Sequence, residues 1–148
     1  MAEPAALLLA WLSPGYPVGA YTYSHGLEHA VAAGDVTGPA ALSAWIADCL
    51  EHGAGRTDAI LLAGAMRAPE DEALAERARA LAASRERLLE SEAQGAAFAT
   101  VTAAARGPAL APAPYPVAFG RAAAAHGIAP ALAASLYLQA FAANLVSA

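Results

Sequence analysis

Apolar positions recur at three- and four-residue spacing between breaks made by Pro and Gly, and they predict six or seven helices in the order of the chain. A short first helix is expected from about Ala5 to Leu12. It ends at SPGYPVG, where Pro14, Gly15, Pro17 and Gly19 rule out a continuous helix. A second is predicted from about Tyr21 to Ala33, with Tyr23, Leu27, Ala30 and Val31 on one face and Gly34 as its C-terminal cap. The third starts near Pro39, a residue suited to a first helical turn, and should turn Leu42, Trp45, Ile46, Cys49 and Leu50 inward before ending around Gly53 to Gly55. A fourth covers about Asp58 to Arg67 and stops at Pro69. A long charged helix then runs from about Glu70 to Leu89, followed by, or continuous with, one through Ala96 to Ala105, with Gly95 as a kink or a point of close packing. GPALAPAPYP is predicted to be a stiff, extended connector. Beyond it, one helix runs from about Val117 to His126, stopped by Gly127. The last begins near Pro130, with Leu132, Leu136, Ala140, Phe141 and Leu145 along one side. No repeat of fixed period is present.

Composition sharpens this into a fold class: an all-α, single-domain helical bundle. The chain has 148 residues, the size of one domain. Ala contributes 46 residues, the strongest helix former but one that buries little area, while Val and Ile together number nine. Helices packed closely through small side chains are the expected result. Charge is unevenly spread. All 13 acids lie at or before Glu92, and beyond it only Arg106 and Arg121 are charged, so the later stretch is expected to be buried in the fold or against another chain. The net charge of −5, with eight Arg in no basic cluster, argues against nucleic-acid binding. The single cysteine, Cys49, allows no intrachain disulfide and suggests a reducing compartment, hence a cytoplasmic protein. Neither a signal peptide nor a membrane span is expected. The N-terminal apolar run has Glu3 in place of a basic region, and Ile128 to Val146 is mostly Ala.

The sharpest chemical pattern is His25-Gly26-Leu27-Glu28-His29, which matches H-x-x-E-H, a zinc-hydrolase motif in which two His one helical turn apart hold the metal. His25 and His29 are thus weak candidate metal ligands. Such a site needs a third protein ligand, usually an acid well downstream, and no acid follows Glu92. The alternative places both His on the helix face away from Leu27. His52 and His126 each precede a Gly and fit helix C-termini. Cys49 fits a buried structural thiol. No nucleophile–base pair, G-x-S-x-G or phosphate loop is evident, so no catalytic residue and no cofactor site is expected. The charges between Glu70 and Glu92 read as a solvated face or a docking face. Tyr16, Tyr21 and Tyr23 around two prolines read as loop packing or as a protein-contact surface.

Four ordered segments carry a resemblance. Ser13 to Glu28 (SPGYPVGAYTYSHGLE) resembles the N-terminal signature of the urease accessory protein UreF family. Ala83-Ser84-Arg85-Glu86, with Glu90-Ser91 and Gly95, resembles its central Ser-Arg helix. Tyr115-Pro116-Val117-Ala118-Phe119-Gly120, followed by Gly127-Ile128, resembles its Y-P-V-A-F-G segment. Asn144-Leu145-Val146-Ser147-Ala148 resembles the start of its N-x-V-S-A helix. The resemblance covers essentially the whole chain. It implies an all-helical homodimer without enzymatic activity, one that pairs with UreD (also called UreH), docks the GTPase UreG and helps load nickel into apo-urease. Nickel is then handled by the complex, with no cofactor of the chain's own.

Carried over to matching positions, Pro14, Pro17, Gly19, Tyr21, Tyr23, Ser24, Gly26, Leu27 and Glu28 would build the N-terminal contact surface. Ser84, Arg85, Glu90 and Gly95 would belong to the central helix near a dimer or partner face, and Gly120 and Asn144 would be packing positions. Gln94 departs from a frequent Met. The family continues past N-x-V-S-A, and ANLVSA has no residue that would end a helix, so a further C-terminal part bearing on UreD binding is expected to be missing here. The small zinc hydrolase and a plain helical oligomerisation module are the alternatives.

Overall fold

The computed structural model describes residues 3–18, 23–105 and 107–147. Eight α-helices are present among them: α1 (Pro4–Trp11), α2 (Leu27–Ala33), α3 (Pro39–Glu51), α4 (Ala54–Arg67), α5 (Ala73–Ala80), α6 (Arg85–Ala104), α7 (Tyr115–Ala125) and α8 (Pro130–Ser147). The all-α class is as expected. The number of helices exceeds six or seven because the charged stretch is two helices. Residues 81–84 break it, with Ser84 in an extended conformation whose hydroxyl accepts from the backbone N–H of Arg87 and starts α6. At the other end of α5, Asp71 Oδ1 accepts from the N–H of Ala73, so the helix begins three residues later than the charge pattern suggests. Helix α6 then runs through Gly95 without a break.

Helix α7 is the centre of the bundle. Pro116 to Ala123 are all buried; apart from Arg121, whose Nη2 donates to the Asp71 carbonyl and Glu72 Oε1, they are apolar or glycine on every side, as a central helix must be. It packs mainly against α4 and α6. Gly120 permits the α4 crossing: a Cβ there would lie 2.5 Å from the carbonyl oxygen of Leu62 and 2.9 Å from Ala65 Cβ. Gly95 does the same for α6 against the extended connector, where a Cβ would overlap the carbonyl oxygen of Ala113. Close-packed small residues leave little apolar area per residue, and aromatic rings supply it. Trp11, Phe98, Phe119, Tyr115 and Tyr137 form one edge-to-face and tilted cluster with centroids 5.3–6.0 Å apart.

The uncharged later stretch divides. Its α7 portion is buried as expected. On α8 the buried line is Ala133, Tyr137 and Leu145, and Leu132 of the predicted stripe is exposed. On α2, Leu27 and Ala30 are buried while Val31 is 53% exposed. The predicted inward stripe of α3, Leu42, Trp45, Ile46, Cys49 and Leu50, is half-buried throughout, because α2 and α3 make a small satellite core with Val36 instead of joining the main one. Gly34 caps α2 at φ 84°, and Gly127 follows α7 at φ 64°, both as predicted. No helix among the described residues is long and apolar enough to cross a membrane.

Candidate functional site: a buried ion cluster under the N-terminal signature

Three helices send charged or polar side chains to one interior point. Helix α4 contributes Asp58, α6 contributes Arg87, Glu90 and Gln94, and α8 contributes Tyr137. Arg87 is 8% exposed, and its guanidinium spans two carboxylates: Nη2 donates to Asp58 Oδ2 at 2.6 Å and Nη1 to Glu90 Oε2 at 3.0 Å. The Tyr137 hydroxyl donates to Asp58 Oδ2 at 2.8 Å, and Gln94 Nε2 donates to Glu90 Oε1 at 3.4 Å. Charges are retained in an interior only when paired and hydrogen-bonded, and each member here has such a partner.

Electrostatics in the cluster are unequal. Burial pushes the carboxyls of Asp58 and Glu90 up from their ordinary range, while Arg87 pulls both down. Arg87 remains charged at every accessible pH. Burial drives the Tyr137 hydroxyl far above the usual phenol range, so it acts as a donor.

The N-terminal signature docks on this frame. The Tyr23 hydroxyl lies 3.2 Å from Ser84 Oγ, the same oxygen that caps α6, and the Tyr23 backbone favours the ionised form of Glu90 through a hydrogen bond. His25 follows with φ 50°, the one positive φ at a non-glycine among the described residues, and Gly26 with φ 81°. The His25 ring sits 4.7 Å from Tyr23 and 4.8 Å from Phe141 of α8, by centroid distance. Burial, with Arg87 nearby, lowers its pKa to about 4. Cavities flank the cluster on two sides, and Tyr23, His25, Asp58 and Arg87 line both. One, of about 390 Å³, opens between the α3–α4 turn and residues 81–83. The other, of about 550 Å³, lies between residues 11–18 and the C-terminal half of α8.

Of the candidate contact residues, Tyr23, Ser84 and Glu90 are therefore brought together, and Ser24 is adjacent to them. Arg85 and Glu28 are exposed, as are Pro14 and Pro17 on the preceding segment. Gly19 and Tyr21 lie outside the described residues. The second helix was predicted to begin near Tyr21, but residues 23–26 are not helical and α2 begins at Leu27. His25 and His29 consequently do not share a helix face: His25 is folded under Tyr23 and Phe141, and His29 is exposed on α2. No group of three or more His, Cys, Asp or Glu side chains among the described residues is placed to hold a metal ion. His52 and His126 take the C-cap positions of α3 and α7. Cys49 is half-buried, and burial raises its thiol.

Asp58, Arg87 and Tyr137 were not singled out in the sequence. A signal was present. Arg87, Ser91, Gln94, Phe98 and Thr102 are all buried and follow one another at helical spacing, so Arg87 continues a buried stripe. Asp58 likewise heads the line Asp58, Leu61, Leu62, Ala65 on α4. The solvated-face reading fits Arg79, which bridges Glu76 on α5 and Glu92 on α6 at 2.7 and 2.8 Å, but not Arg87.

Comparison with known proteins supplies context for this arrangement. The family model described as UreF matches residues 36–148. A urease accessory protein UreF of Cereibacter sphaeroides is 56% identical over 148 residues, covering all of this chain and 70% of the relative. One from Methylobacterium is 53% identical over 161 residues, covering 97% of this chain and 64% of the relative. One from Roseobacter denitrificans is 52% identical over 143 residues, covering 95% and 64% respectively. No solved structure matches.

Proposed function

Because the chain belongs to the urease accessory protein UreF family, we propose that it is a non-enzymatic scaffold in urease maturation, working in the cytoplasm as a homodimer. In this reading it bridges UreD (UreH) and the GTPase UreG on apo-urease and couples GTP hydrolysis to delivery of nickel, which is cargo of the complex and not a cofactor of this chain. The signature segment at Tyr23 and Ser24 and the start of α6 at Ser84 and Arg85 are the proposed contact surface, with Glu28 beside them and Pro14 and Pro17 presenting the preceding loop.

One observation carries the reading. Two segments 61 residues apart in sequence meet through the Tyr23–Ser84 contact, directly over a buried ion cluster. Interior charge costs stability relative to apolar packing, and its best-attested use is to select one geometry. A surface mounted on such a frame is held in one pose, which lowers the ordering cost of binding a partner.

The test is co-purification of this chain with UreD, UreG and apo-urease, followed by sizing. A retained complex that is lost on Tyr23→Ala with Arg85→Ala is expected. Absence of any complex, both with this chain and with a chain extended to the length of the relatives, would overturn the proposal.

A further inference from the structure

The cluster contains two carboxylates and one guanidinium. Arg87 divides its two terminal nitrogens between them, Nη2 to Asp58 and Nη1 to Glu90. With both acids ionised, one negative charge at a site where Asp58 and Arg87 are buried is left to neutral donors. Those donors come from different elements around one site. On the Asp58 side the donor is the Tyr137 hydroxyl of α8. On the Glu90 side they are Gln94 and the backbone of Tyr23 in the signature segment. The two sides therefore compete for one cation. Weakening the donors at one end makes that carboxylate a stronger claimant on Arg87 and leaves the other less compensated.

We propose that Arg87 acts as a shared cation whose division between Asp58 and Glu90 couples the seating of α8 to the seating of residues 23–26. When α8 withdraws Tyr137, Asp58 draws the guanidinium toward α4. Glu90 must then take a proton or turn toward the larger cavity that it lines. Either change weakens the hold on Tyr23, because a neutral carboxyl is a poorer acceptor than a carboxylate and a turned one is out of reach. The same linkage runs in reverse, because a coupling free energy between two sites is reciprocal. His25 strengthens the mechanical side of the link, since its ring bridges Tyr23 and Phe141 of α8. Given that residues 23–26 are a contact surface, as proposed above, occupancy beside α8 would be felt there without a new contact.

The test uses the isolated chain, so its failure would leave the assembly proposal standing. Amide hydrogen exchange is followed by mass spectrometry in the unaltered chain, Tyr137→Phe, Glu90→Gln and the double variant. A peptide covering residues 23–30 reports the signature, and one covering 117–123 in α7 reports global opening. Tyr137→Phe removes one hydroxyl from α8 and should raise exchange in 23–30 about fivefold, the population change expected from one hydrogen bond of ordinary strength. It should do so without a matching rise in 117–123. In the Glu90→Gln background the second acid no longer competes, and adding Tyr137→Phe should leave 23–30 unchanged. The proposal is overturned if Tyr137→Phe leaves 23–30 unaltered, if 117–123 rises in step with it, or if the effect persists in the Glu90→Gln background.

Discussion

Replacing Arg87 with Met isolates the worth of the buried cation. Met keeps an unbranched stem of similar reach, so the packing of Arg87 along α6 is largely retained, while the charge and both ion pairs are lost. Asp58 and Glu90 would be left in the interior with only Tyr137, Gln94 and Tyr23 to donate to them. Breaking a buried pair by removing one partner costs about 3–5 kcal/mol, because the remaining charge has no compensation. Two carboxylates are stranded here, so the upper half of that range applies near neutral pH. A domain of this size has about 5–15 kcal/mol of stability, so the variant should still fold for measurement.

The cost has a definite pH dependence. Burial already raises both carboxyls, and Arg87 is the main influence pulling them down, so its removal raises them further. A carboxyl with a raised folded pKa binds its proton more tightly in the folded state. Its contribution is therefore fully present below the unfolded pKa and is lost as pH rises through the folded value. The difference between Arg87→Met and the unaltered chain should thus be largest at pH 7–8 and shrink toward pH 4–5. Urea unfolding of both proteins at the two pH values measures it. A loss below about 1 kcal/mol at neutral pH, or one that does not change with pH, would refute the assignment of Arg87 as the compensating charge.

Gly95→Ala should be among the most damaging single-methyl changes in the chain. The new Cβ would overlap the Ala113 carbonyl oxygen and approach the Ala113 and Pro114 carbonyl carbons at 3.0 Å, all of them backbone atoms that cannot rotate away. Overpacking of this kind costs about 1–3 kcal/mol or more despite the higher helix propensity of Ala, and thermal unfolding will show it as a lowered Tm. His25 supplies a second pH signature. Its folded pKa of about 4 lies below the unfolded value, so the stability from holding it neutral is complete above pH 6.5 and is lost as pH falls toward 4. Allowing for the solvent that reaches this half-buried ring, about 1–2 kcal/mol is at stake. His25→Asn, which tolerates the positive φ, should flatten the stability profile between pH 6.5 and 4, and an unchanged slope would count against the assignment.

Much of this architecture could be read from local chemistry. Pro39, Gly34, Gly127 and the prolines of residues 108–116 act within their own few residues, and each punctuates the fold where its backbone constraint requires. Two kinds of feature were not legible. The end of α5 has no Gly or Pro, and only the hydroxyl of Ser84, in a sequence of strong helix formers, separates α5 from α6. Non-helical residues 23–26 were masked by a good amphipathic pattern, and their pose comes from contacts with Ser84, Glu90 and Phe141, which are 61 to 116 residues away. The ion cluster failed to stand out for the same reason. Asp58, Arg87 and Tyr137 come from three helices, and a charged residue heading a buried stripe looks like a solvent-facing one until the partner helices are placed.

The most direct measurement of the central claim is nickel content and activity of apo-urease after incubation with nickel, GTP, UreD and UreG, in the presence and absence of this chain. The scaffold account predicts that active-site loading depends on the chain, and that the chain shows no urease activity of its own. Equal loading of apo-urease without the chain would contradict it.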